Sequence, residues 1–125
     1  MADFGVEKTA EDLAWEFVNE GITSAQLRKF YNEFKGLERK YQTKMLAKTS
    51  DNISNDDILK GILPQIKIMK AKVSYARSRK VVPPVFEDWM KKSVDTINSA
   101  KEFEEFLLHF EAIVGYAYGT GKLKD

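Results

Sequence analysis

The spacing of apolar residues constrains this chain more than any other feature. They recur at intervals of three and four through most of its 125 residues, interrupted by only three prolines and seven glycines. That interval is the period of a helix with one buried face, and no stretch alternates with the period of two that a half-buried strand requires. Thr9 with Asp12 makes a short capping box ahead of Leu13, Ala14, Phe17 and Val18, so a first helix should run to about Glu20 and stop at Gly21. Thr23 with Gln26 opens a second, in which Leu27, Phe30, Tyr31, Phe34, Leu37, Tyr41 and Met45 share one face. The stretch 49–57, rich in Ser, Asn and Asp, reads as a loop. A third helix is expected from near Ile62 or Pro64, because proline suits a first turn, to about Lys80, with Ile62, Ile66, Met69, Val73 and Ala76 inward. Pro83 and Pro84 start a fourth, carrying Phe86, Trp89, Met90 and Ile97. Ser99 with Glu102 caps a fifth, whose stripe is Phe103, Phe106, Leu107, Phe110, Ile113, Val114 and Ala117 and whose end is Gly119 and Gly121. The expectation is an all-α fold, a compact bundle of about five amphipathic helices forming one domain over 1–125.

Composition removes several functional classes. The chain has no cysteine, which excludes disulfide frameworks, thiolate zinc sites and cysteine nucleophiles and points to a reducing, cytoplasmic setting. Its first residues are acidic and lack an apolar signal core, and no apolar run approaches the roughly 18 residues of a membrane span, so neither secretion nor membrane insertion is expected. Gly119-Thr120-Gly121-Lys122 resembles the end of a phosphate-binding loop, but Tyr116 stands where that loop needs glycine and Leu123 where it needs Ser or Thr. A helix C-cap explains it better. His109 is the only histidine, which excludes metal sites built on histidine pairs, and it sits one helical turn from Glu105, which suits a surface hydrogen bond. Asp51, Asp56 and Asp57 lack the glycine and closing glutamate of a calcium loop. Glu102, Glu104 and Glu105 fit a solvated helix start. No enzyme activity, metal or cofactor is expected.

The formal net charge of +1 conceals opposed blocks. In residues 1–20, Lys8 stands against Asp3, Glu7, Glu11, Asp12, Glu16 and Glu20, a net of −5. Between Thr23 and Lys48 seven basic residues oppose Glu33 and Glu38, a net of +5. From Leu59 to Phe86 there are seven basic residues and no acid, and residues 101–111 return to −3. At 100° per residue, Arg28, Lys35 and Arg39 fall within about 40° of one another on the second helix, flanked by Asn32 and Gln42. On the third, Lys67, Lys70 and Arg77 line one edge of the apolar stripe, and Lys72 and Arg79 line the other beside Tyr75. Rows of cations with few local acids and an aromatic close by suit a phosphate backbone. A solvated face is the competing reading, and the helix dipole alone accounts for Arg77, Arg79 and Lys80 near a C-terminus. It does not account for Arg28 and Lys29, which are expected in a first turn.

Three stretches, Thr23 to Tyr31 (TSAQLRKFY), Met69 to Arg79 (MKAKVSYARSR) and Phe106 to Tyr116 (FLLHFEAIVGY), together resemble the small subunit of the type III-A CRISPR effector, the Csm complex. The likeness covers roughly Thr23 to Gly119. It implies a non-catalytic helical subunit that stacks in several copies along a ribonucleoprotein filament, beside guide RNA and single-stranded target RNA, with cleavage left to other subunits. The family pattern falls on Gln26, Arg28, Lys29, Lys70, Lys72, Tyr75 and Arg79, and helical geometry adds Lys35, Arg39, Lys67 and Arg77 as RNA-binding candidates. The acidic block of one copy could face a basic surface of the next, an arrangement that competes with neutralisation inside one molecule. The small subunit of the type III-B effector and a helical adaptor that binds only protein are the alternative readings.

Overall fold

The computed structural model describes residues 8–48 and 52–125. Asp3 and Glu7 of the acidic block, and Thr49, Ser50 and Asp51 of the expected loop, lie outside the described residues. Six helical segments follow in order: α1 (Ala10–Asn19), α2 (Ser24–Ala47), α3 (Asn55–Lys67), α4 (Met69–Ser78), α5 (Pro84–Thr96) and α6 (Ala100–Gly119). Only Ile68, itself in the right-handed helical region, separates α3 from α4, so the two act as one bent rod and the bundle has the five rods expected. The architecture of the described residues is all-α, with a single isolated bridge between Thr23 and Lys124.

The helix starts show how local chemistry sets the boundaries. Thr9 and Asp12 form the full capping box, each side chain accepting from the other's backbone N–H. Thr23 and Ser99 each cap the backbone N–H three residues on, at 3.2 Å, but neither partner completes a box. Glu102 accepts instead from Asn98 N, and the Gln26 amide oxygen is buried without a hydrogen-bond partner among the described residues. At the α2 start the backbone N–H of Ser24 donates to Lys124 O at 2.6 Å, tying the chain's last residues to the first turn.

The third rod starts earlier than its prolines suggest. Ser54 and Asp57 form a complete capping box, so α3 begins at Asn55 and the stretch 55–57 is helix, not loop. Pro64 is an interior residue of α3, without an N–H to donate to the turn before it, and the helix breaks four residues later at Ile68. Asp56, on the first turn of α3, accepts from the backbone N–H of Ala100 at 2.8 Å and so caps α6 from outside.

α1 packs along α6, α4 along α5, and α2 against α3 and α6. The seam is aromatic: Phe17, Phe30, Phe34, Phe86, Phe103, Phe106 and Phe110 are all within 1% of full burial. Phe34 meets Phe106 edge to face at 4.7 Å, and Trp89 bridges Phe17 at 5.5 Å and Phe110 at 5.1 Å. Edge-to-face pairs of this kind add about 1 kcal/mol each beyond the area they bury. His109 is half-buried on the flank of this cluster, its ring 6.1 Å from that of Trp89.

Candidate nucleic-acid interface

α2 and the α3–α4 rod run antiparallel, and three contacts fix their register. Lys72 pairs with Glu33, Lys40 donates to Gln65 at 3.1 Å, and the Lys44 ammonium lies 3.7 Å from where a β-carbon on Gly61 would stand. Seven residues forward on α2 match seven backward on the rod, and the next four match four. Lys72 reaches α2 through Glu33, Tyr75 and Arg79 follow it at helical spacing and are exposed, and Lys70 and Arg77 reach α5 through Asp95 and Glu87.

The candidate cations divide into two groups. Lys70 pairs with Asp95 at 2.5 Å, Lys72 with Glu33 at 3.1 Å, Lys35 with Glu38 at 2.5 Å, and the Arg77 Nε with Glu87 at 3.0 Å. Lys67 donates to Val94 O at 2.8 Å, which satisfies a carbonyl in the last turn of α5. Burial draws the Lys67 ammonium below its ordinary pKa; the charge of Asp95 opposes this and that of Lys70 adds to it. A hydrogen bond to Glu38 raises Lys35. The expectation of few local acids is thereby corrected: the acids come from Glu33, Asp95 and Glu87, which are distant in sequence and adjacent in the fold.

Arg28, Lys29, Arg39 and Arg79 form the second group. All four are exposed and none takes an ion-pair partner among the described residues. Tyr75 is 64% exposed with the Arg79 guanidinium 5.5 Å from its ring centroid, while the Lys29 ammonium lies 5.9 Å from the Phe30 ring. Arg28 and Arg39 share the outward face of α2, with the exposed Asn32 between them. Gln26 stands apart, being half-buried. One further expectation changes here: α2 begins at Ser24, which puts Arg28 and Lys29 in its second turn, where the dipole penalty has faded.

The Csm2 Type III-A family profile matches residues 5–121 of the chain. The chain belongs to that family. It is therefore a small subunit of the type III-A Csm complex, which agrees with the resemblance carried by the three motifs. Among curated proteins and among solved structures, nothing matches the chain. In this Csm2-family subunit no group of three or more His, Asp or Glu side chains among the described residues is placed to hold a metal ion, and no described helix is long and apolar enough to cross a membrane. Sequence reasoning passed over Lys40 and Lys44, which line the α2–α3 seam, and Lys80, which adopts a left-handed backbone at φ 63°. The first two share a helical flank with Lys29 and were legible from angle alone; nothing in the sequence marks the conformation of Lys80.

Proposed function

We propose that this Csm2-family subunit binds the backbone of single-stranded target RNA or guide-paired RNA inside the effector, neutralising phosphates without reading sequence, and has no catalytic role of its own. The observation that carries this is the set of exposed cations Arg28, Lys29, Arg39 and Arg79, without ion-pair partners among the described residues, with the exposed Tyr75 beside Arg79. Four cations without ion-pair partners among the described residues provide counterion release, and an aromatic face beside an arginine suits an unstacked base. Indifference to sequence is what an effector programmed by interchangeable guides requires. Stacking of several copies, with cytoplasmic assembly beside the other subunits, belongs to the same reading; the exposed Glu11 and Asp12 in the first turn of α1 on one copy supply an acidic end for a basic neighbour.

The test is a titration of single-stranded RNA against salt. Phosphate neutralisation on a single strand gives a log-log slope of about −0.7 per contact, so four contacts predict roughly −3. No binding at low salt would overturn the RNA reading and leave a subunit that contacts only protein.

A further inference from the structure

α1 and α4 end in the same hydrogen-bonded turn. Gly21 N donates to Val18 O and Ile22 N to Phe17 O, while Lys80 N donates to Arg77 O and Val81 N to Ala76 O. In both, the residue after the C-cap takes a left-handed backbone, at φ 95° for Gly21 and φ 63° for Lys80. Glycine carries no penalty there, whereas a residue with a β-carbon costs about 1 kcal/mol or more. The two turns border one open cavity of about 360 Å³, within the size range of small-ligand sites. Lys80, at the strained position, is one of the residues that line that cavity.

The other walls are chemically distinct. Arg77 lines the cavity with its Nε held by Glu87, which leaves both terminal nitrogens without a hydrogen-bond partner among the described residues. Val82, Pro83 and Pro84 line an apolar side, with Pro84 the exposed one, and Glu20 is the acid in the lining. Neither Glu20 nor Lys80 takes an ion-pair partner among the described residues, so an acid and a base border the same cavity unpaired.

A cation pair, an apolar face and an acceptor are the complement of a phosphoryl group, a base and a hydroxyl or amino donor. We infer that this cavity binds a single ribonucleotide, its phosphoryl group toward Arg77 and Lys80, its base against Val82 to Pro84, and a sugar hydroxyl or base amine toward Glu20. The inference deepens the RNA reading and, for a nucleotide carried in a strand, rests on it: Lys80 directly follows the exposed Arg79 of the candidate interface in the chain and lines the cavity.

The test uses the full chain, with backbone amide shifts followed by NMR during titration with adenosine 5′-monophosphate, adenosine, or a short single-stranded RNA. The monophosphate is expected to shift the amides of Gly21 and of residues 80–85, and adenosine to do so far more weakly. If only the RNA shifts them, the nucleotide is recognised as part of a strand; if the free monophosphate suffices, a free ribonucleotide is a ligand in its own right. Lys80→Gly removes the ammonium and the backbone strain together. It is expected to weaken binding about tenfold, the loss of one charge-assisted contact, without lowering Tm. RNA that shifts Arg28 and Arg79 but leaves Gly21 and residues 80–85 unmoved, with the monophosphate also silent, would overturn the cavity and leave the RNA reading standing. Shifts at the cavity with the monophosphate, and no RNA binding, would do the reverse.

Discussion

Glu33 of α2 meets Lys72 of α4 with Oε1 and Nζ 3.1 Å apart, and its second oxygen, Oε2, is buried without a hydrogen-bond partner. The pair holds two rods in register, and it also neutralises a cation in the middle of the candidate interface. Glu33→Gln keeps the shape and removes the charge. With Lys72 freed, RNA affinity should rise and the salt slope should steepen by about 0.7, the value of one further phosphate contact. Fluorescence anisotropy over a range of salt reads both quantities, and an unchanged slope would show that Lys72 does not face the strand.

Free and engaged cations should respond differently to the same truncation. Arg79→Ala removes an exposed, unpaired guanidinium, so stability should change by no more than about 0.5 kcal/mol while RNA binding weakens. Arg77→Ala takes a hydrogen bond from the buried carboxylate of Glu87, which is 7% exposed. Because Lys91 and Ser74 remain and the arginine is half exposed, the stability loss should be about 1 kcal/mol. Urea denaturation of both variants beside RNA titration separates the roles; equal stability losses would contradict the division into two groups.

The fold was legible in the sequence wherever a periodic apolar stripe met a cap. Phe103, Phe106 and Phe110 fall on the buried side of α6 because their spacing is helical and Ser99 fixes where the helix starts. The start of α3 was less legible, since Pro64 is a strong signal for a first turn and Asp57 completes a capping box with a shorter side chain than the usual glutamate. The electrostatics of the site were the least legible. Charge blocks counted along the chain register Lys70 but not Asp95, or Arg77 but not Glu87, because those acids arrive from α5 only when the bundle closes. Arg28 and Arg39 were visible because helical spacing alone puts them on one face of α2, and both are exposed.

Glu87 gives the bundle an acid-sensitive element. Burial pushes its carboxyl up, but hydrogen bonds from Lys91 and Ser74, with the charges of Lys91 and Arg77, more than reverse this and hold its pKa below the ordinary value. A carboxylate depressed in the folded state contributes stability that is present above the unfolded pKa of about 4.3 and is lost as pH falls through the folded value. Glu87→Gln should be less stable at pH 7 by about 2 kcal/mol, and its deficit should shrink as the pH is lowered through that window. Denaturant titrations at stepped pH check this. A deficit that stays constant down to acid pH would mean that Glu87 acts through packing alone.

Tyr41 gives the opposite window. Its ring is buried against Phe103 at 5.8 Å and its hydroxyl donates to Glu104 at 3.3 Å. Burial, then the charge and hydrogen bond of Glu104, push its pKa from 10.0 up to about 12. The folded state therefore favours the neutral phenol, so stability is fully present below pH 10 and is lost as the pH rises toward 12. Ultraviolet titration of tyrosinate should show a late phase near pH 12 that is absent from Tyr41→Phe, and alkaline unfolding of the wild type should track it. Glu104→Gln removes the carboxylate charge but leaves the burial, so the phase should move down without returning to 10.0. If it returned fully, the carboxylate and not burial would be the larger cause.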